Sequence, residues 1–144
     1  MTKPYDDSNI FAKILKGEIS SHKLYEDDKT VAIMDVMPQG KGHCLVLPKA
    51  PSRNLLDANP GDLAAIMATT QKLARAVVKA FDADGVVIMQ FNEAPAGQTV
   101  FHLHFHVIPR FENVELKRHS DKMEDPAILA DNAQKIRDAL GAAG

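Results

Sequence analysis

Three histidines alternate with apolar residues in one short run, His102-Leu103-His104-Phe105-His106-Val107-Ile108. In a β-strand, side chains at i, i+2 and i+4 point to one face. The three imidazoles would then line one side, spaced roughly 6.6 Å apart. Phe101, Leu103, Phe105 and Val107 would fill the other side. Three titratable rings in a row are costly as mere packing, so each needs hydrogen-bond partners or a chemical task.

The rest of the 144-residue chain suits one domain with a real core. Apolar residues make up 45% and charged residues 25%, the balance of an ordinary globule. The net charge is -2. With no long Lys/Arg block, a polymeric nucleic-acid partner is disfavoured. A small anion remains open, because backbone amides hold phosphate without net positive charge. Residues 1–9 are polar and lack the apolar centre of a signal peptide, and no apolar run reaches the length of a membrane span. The one cysteine, Cys44, lies in an apolar run and reads as a buried strand residue. A cytoplasmic protein with no membrane partner is the expectation.

Periodicity places a short helix at 10–17, with Ile10, Phe11, Ile14 and Leu15 on one face and Gly17 at its end. Strands follow at 22–26 and 30–36, with Asp27-Asp28-Lys29 as a hairpin turn. Residues 37–42 form a loop around Pro38, and 43–48 a third strand. Asn59-Pro60 opens a helix that runs to about Phe81, with Leu63, Ile66, Met67, Thr70, Leu73, Ala74, Val77 and Val78 in its stripe. A fourth strand spans 86–91, and the histidine run is the fifth. Residues 112–124 are polar and ambiguous. Asp125-Pro126 opens a last helix with Ile128, Leu129, Ala133, Ile136 and Leu140 on one side. The expected fold class is α+β: a five-stranded antiparallel sheet with a short N-terminal, a long central and a C-terminal helix.

The histidine run admits three readings. One is structural, with satisfied histidines in a sheet. One is a metal site, since three histidines plus water make a zinc arrangement; no carboxylate sits at a short fixed spacing from the run. The third is phosphoryl or nucleotidyl transfer, with imidazole as the nucleophile. The loop Asn92-Glu93-Ala94-Pro95-Ala96-Gly97-Gln98-Thr99 feeds directly into the run. Its backbone amides, amide side chain and hydroxyl suit non-bridging phosphate oxygens, which favours the third reading.

The run also resembles the His-φ-His-φ-His-φ-φ signature of the histidine triad (HIT) superfamily, and is similar to its HINT branch of nucleoside phosphoramidase-like proteins. Ala96-Gly97-Gln98-Thr99-Val100 resembles that family as well. So do Ile10-Phe11-Ala12-Lys13-Ile14 with Gly17-Glu18-Ile19, Tyr25-Glu26-Asp27-Asp28, and Asp35-Val36-Met37-Pro38 followed by Gly42-His43-Cys44-Leu45-Val46-Leu47-Pro48-Lys49. The resemblance covers about residues 9–110. It implies a single HIT domain over 1–144, with 111–144 as a C-terminal extension.

The resemblance implies that His104 attacks the α-phosphate of a purine nucleotide conjugate. A nucleotidyl-histidine forms, the leaving group departs, and water releases the monophosphate. His106 and His102 match the flanking histidines: the first bonds phosphate oxygens or the leaving group, the second orients its neighbours. His43 matches a fourth histidine from a neighbouring strand. Gln98 and Thr99 match phosphate and leaving-group contacts, with Gly97 and Val100 beside them. Asp35 matches the carboxylate that takes both ribose hydroxyls, and Asn92 a phosphate- or ribose-side amide. Ile10, Phe11, Ile14, Ile33 and Val36 match an apolar slot for the base, although periodicity alone makes all five core. Many bacterial relatives hold a structural zinc where this chain has Asn9, Ala12 and Pro51, so no structural zinc is expected, and the implied chemistry needs no catalytic metal or cofactor. The resemblance further implies a two-fold homodimer joined through the helix from Pro60 to Phe81 and the strand from Val86 to Phe91. Dinucleoside polyphosphate hydrolysis, and regulation by nucleotide binding alone, are the alternatives.

Overall fold

The computed structural model describes residues 3–118 and 122–142. The outermost residues of the single-domain expectation, and 119–121 within the polar stretch, lie outside the described residues. Helix α1 spans Ile10–Leu15, and β1 (Lys23–Glu26) and β2 (Thr30–Met34) form a hairpin. Strand β3 (Cys44–Pro48) leads through a short 3-10 turn to α2 (Pro60–Phe81). Strands β4 (Gly85–Met89) and β5 (Phe105–Arg110) follow, then α3 (Pro126–Ala142).

The five strands lie in the order β1-β2-β3-β5-β4, every neighbouring pair antiparallel. This is the α+β arrangement expected from the chain's periodicity. Asp27 closes the hairpin as anticipated: its Oδ1 accepts from the amides of Lys29 and Thr30. Asn59 caps α2 by accepting from the Gly61 amide, with Pro60 at the first helical position.

The sheet is covered on both faces. Ala32, Met34, Cys44, Val46, Phe105 and Val107 pack under α2 and α3, against Ile66, Leu73, Val77, Leu129 and Ile136. Val31, Ile33, Leu45 and Leu47 point the other way and meet Phe11 of α1. Cys44 is fully buried, and burial pushes its thiol well above the usual range, so it behaves as an inert core residue. Two helical stripes are narrower than their periodicity suggests: Met67 of α2 and Ile128 of α3 are exposed, and Ala139 takes a core place on α3.

The histidine run departs from expectation. β5 begins only at Phe105, so His102 and His104 precede the strand. The β3–β5 ladder runs Cys44↔Val107, Leu45↔His106, Val46↔Phe105 and stops. Continued, it would oppose Leu103 to Pro48, which has no amide to donate. The Leu103 amide instead donates to the Ser52 carbonyl at 2.8 Å. Leu103 and Phe105 still reach the core, but Phe101 does not: the Arg53 guanidinium lies 4.2 Å from its ring centroid.

Gly42, just before His43, sits at φ +78°, a conformation that favours glycine. A Cβ there would come within 2.5 Å of the Phe81 ring and 3.0 Å of Pro109. Gly42→Ala is therefore expected to lower stability by about 1–3 kcal/mol, read as a reduced midpoint in urea unfolding.

Candidate active site

Between α1 and the exposed end of the sheet lies a cavity of about 230 Å³. Ile10, Phe11 and Ile14 of α1 form one wall, and Ile33, Asp35 and Val36 the opposite one. Thr99, Val100, His104 and His106 close its inner end. The Phe11 ring stands edge-on to His104 at 4.9 Å, and the His104 and His106 rings lie 5.0 Å apart. Periodicity puts the apolar members in the core; Phe11 of α1 and Ile33 of the sheet do both jobs, packing together in the cluster between α1 and the sheet, whereas Ile10 is exposed and serves the cavity wall alone. Asp35 is the single charged side chain among the described lining residues.

The hydrogen bonds decide which nitrogen of each ring carries the proton. His104 Nδ1 lies 2.7 Å from the His102 carbonyl, which only accepts. Nδ1 therefore carries the proton, and Nε2 of the neutral ring is a lone pair. The Gln39 amide donates to His43 Nδ1 at 3.0 Å, which places the His43 proton on Nε2. That nitrogen lies 2.9 Å from His106 Nδ1 and 3.4 Å from Asp35 Oδ2. His106 Nδ1 thus accepts, and its Nε2 bears the proton. The pair is an imidazole lone pair and an N–H donor, borne by two rings that line one cavity.

Asp35 is positioned by its own turn. Its Oδ1 accepts from the Met37 amide at 2.8 Å. Its Oδ2 lies 3.4 Å from His43 Nε2.

Asp35, His43 and His106 bring three donor atoms within 4.8 Å of one another, close enough to suggest a metal ion. The donor chemistry does not fit one. A metal-binding imidazole bonds the ion through one nitrogen and donates its other N–H to an acceptor. The second nitrogen of His43 faces a donor, the Gln39 amide. This cluster is wired for protons. At two of the positions that the resemblance gives to a structural zinc, Asn9 caps α1 by accepting from the Ala12 amide, and Ala12 is buried.

Several anticipated residues stand away from the cavity. His43 lies behind His106, fully buried, and His102 behind His104. The Gln98 amide is consumed internally: it accepts from the Glu93 amide and Asn54, and donates to the carbonyls of Arg53 and Val100. Asn92 accepts from the Leu55 amide and exchanges bonds with Gln90. Gly97, at φ +107° against the Phe91 ring, shapes the turn. All three are clamps of the loop. Its lock is a two-pronged ion pair, Arg53 Nε and Nη2 to Glu93 at 2.7 and 2.9 Å, which holds the Glu93 carboxyl down to about 2. Neither Arg53 nor Glu93 stands out in the sequence, since the partners are 40 residues apart. Met37, Leu45, Met123 and the segment Ile19-Ser20-Ser21 also line the cavity without a sequence signal. A shallow groove shares Ile10, Thr99 and Val100 with the cavity and continues past Ser8 and Arg53.

The HIT domain pattern matches residues 16–113. The chain belongs to the HIT family. It is 38% identical over 124 residues to the adenylylsulfatase HINT3 of Arabidopsis thaliana, a match that spans 82% of this chain and 63% of that protein. Among solved HIT structures, a Hit-like protein from Bartonella henselae described as involved in cell-cycle regulation superposes with a TM-score of 0.89 at 54% identity, over 94% of this chain and 99% of that one. A hypothetical histidine triad nucleotide-binding protein from Sulfolobus tokodaii gives 0.83 at 29% identity, over 90% of each chain. Among the described residues, no helix is long and apolar enough to cross a membrane.

Burial holds the His102 imidazole below its ordinary 6.5, although its bond to the Pro48 carbonyl works the other way. The unfolded chain then takes up this proton first as pH falls. Stability from this group is complete above 6.5 and declines below it, toward the lower folded value. The carboxyl of Glu93 adds its own loss only below 4.5. Urea midpoints measured from about pH 7.5 down to about pH 5 are expected to fall, with a shallower slope in His102→Gln.

Proposed function

We propose that this HIT protein hydrolyses purine nucleoside 5'-phosphate conjugates at the α-phosphate, with a phosphoramidate as the best substrate. The observation that carries this reading is the His104 Nδ1–carbonyl bond, which leaves Nε2 as an oriented lone pair beside the His106 N–H. The apolar slot takes the base, and Asp35 takes the ribose hydroxyls. The cavity is smaller than the roughly 300–1,000 Å³ of drug-sized sites, which suits one nucleoside with its phosphate at the inner end.

His104 Nε2 attacks phosphorus and forms the P–N bond of a nucleotidyl-histidine. The bond to the leaving amine breaks, and the amine departs neutral with a proton taken from solvent, while the His106 Nε2–H donates a hydrogen bond to a non-bridging phosphate oxygen. Water then attacks the same phosphorus, frees neutral His104 and releases one proton to solvent. Splitting one displacement into two easier ones is the gain of a covalent intermediate. The name of the Arabidopsis relative favours testing a sulfate leaving group beside the amine. Dinucleoside polyphosphates, and a purely regulatory nucleotide-binding role, are the competing readings. We further place the protein in the cytoplasm, without membrane or polymeric nucleic-acid partners. We assign it a homodimer through α2 and β4, supported by the position of β4 at the sheet edge and the exposed Ile88.

Steady-state rates on adenosine 5'-phosphoramidate, adenylyl sulfate and diadenosine polyphosphates rank the activities. AMP binding with no release from any of them would point to the regulatory role. His104→Ala is expected to lower turnover by about 10³-fold or more while AMP still binds in calorimetry; near-normal rates would rule out the covalent route. Asp35→Ala is expected to weaken ribonucleotides about tenfold or more and 2',3'-dideoxy analogues far less. Equal losses would move Asp35 out of the ribose site.

A further inference from the structure

The carbonyl that orients the nucleophile belongs to His102, so the angle of His104 depends on how firmly residue 102 is held. Its side chain is pinned at both ring nitrogens. Nε2 lies 2.8 Å from the Pro48 carbonyl, an acceptor, and so carries the proton. Nδ1 of the neutral ring then accepts, and its partner is the Tyr5 hydroxyl at 2.6 Å. The Tyr5 oxygen also accepts from Asn9 Nδ2 at 3.2 Å, and Asn9 caps α1. Tyr5 thus joins the first turn of the base-slot helix to the residue that steers His104. It lies upstream of the matched domain, residues 16–113.

We infer that Tyr5 is a positioning residue for the nucleophile: its hydroxyl donates to His102 Nδ1 and thereby fixes the carbonyl that holds His104 Nδ1–H. The bond is half-buried: His102 is fully enclosed and Tyr5 partly so, and the two wall a hollow behind α1 that His104 does not line. Tyr5 makes no contact with substrate in this scheme, and Asn9 keeps its cap on the Ala12 amide and its bond to the Asp6 carbonyl when the Tyr5 hydroxyl is removed. The chemical consequence is a change in turnover with little change in binding, because the slot and Asp35 stay in place. This inference rests on His104 being the nucleophile, as proposed above.

The test compares the full chain with Tyr5→Phe, using Asp7→Ala as a control in the same segment. Asp7 pairs with the exposed Lys16 at 3.1 Å. With adenosine 5'-phosphoramidate, kcat of Tyr5→Phe is expected to fall about two- to tenfold with KM within about twofold, while Asp7→Ala matches the parent. Nitrogen-15 NMR of the imidazoles supplies a reading that needs no activity. In Tyr5→Phe the His102 Nδ1 signal moves toward that of an acceptor without a partner, and the His104 Nδ1 proton exchanges faster with water. Unchanged kcat overturns the inference, as does a lower kcat that tracks a lower melting temperature with both imidazole signals unmoved. If the parent turns over no substrate, the proposed function fails by itself, and unmoved NMR signals in Tyr5→Phe still overturn the role of Tyr5.

Discussion

A neutral imidazole has one donor and one acceptor, and the backbone around this cluster decides which nitrogen is which. At one end the Gln39 amide, a donor, meets His43. At the other the His102 carbonyl, an acceptor, meets His104. Between them the His43–His106 bond can run in only one direction. Reversing any ring would set donor against donor or acceptor against acceptor in a buried place, at a cost of several kcal/mol in an apolar surround. The polarity of the site is therefore a property of the fold.

The fold supplies those two backbone groups through irregular chain. Gln39 sits in the turn that Gly42 permits, pressed by the Phe81 ring at the end of α2. The carbonyl of residue 102 faces His104 because the chain leaves the β3 ladder before Phe105. A strand that ran regularly through all three histidines would engage those backbone groups in the ladder. The interruption gives His104 its partner within its own segment, two residues back.

Much of this was legible in the sequence, for physical reasons that differ by element. The hairpin and α2 are announced by local chemistry: Asp27 closes its own turn and Asn59-Pro60 caps its own helix. The alternation of the histidines carried the core face correctly for Leu103, Phe105 and Val107. It misplaced the strand start, because the limit is set by Pro48 on another strand. Ile10, Phe11 and Ile14 line the cavity, but their pattern alone reads as core, since a cavity wall and a core stripe share one periodicity. Gln98 and Asn92 show the opposite limit. Their type suits a ligand, but Asn54, Arg53 and Gln90 engage them first. Tyr5 and Glu93 had no signal, because each acts on a partner far along the chain.

The strand order has a consequence for how such a chain is made. β5 lies between β3 and β4, both of which precede it in sequence, and the Cys44 thiol meets the Val107 carbonyl across 63 positions. Before β5 emerges, β4 has no neighbour in the sheet to pair with. The central seam must close across a long loop, which slows folding and exposes unpaired edges meanwhile. The segment that closes it is also the one that brings His104 and His106. The sheet therefore closes, and the inner end of the cavity gains His104 and His106, in one event, while His43 waits on the earlier half of the chain.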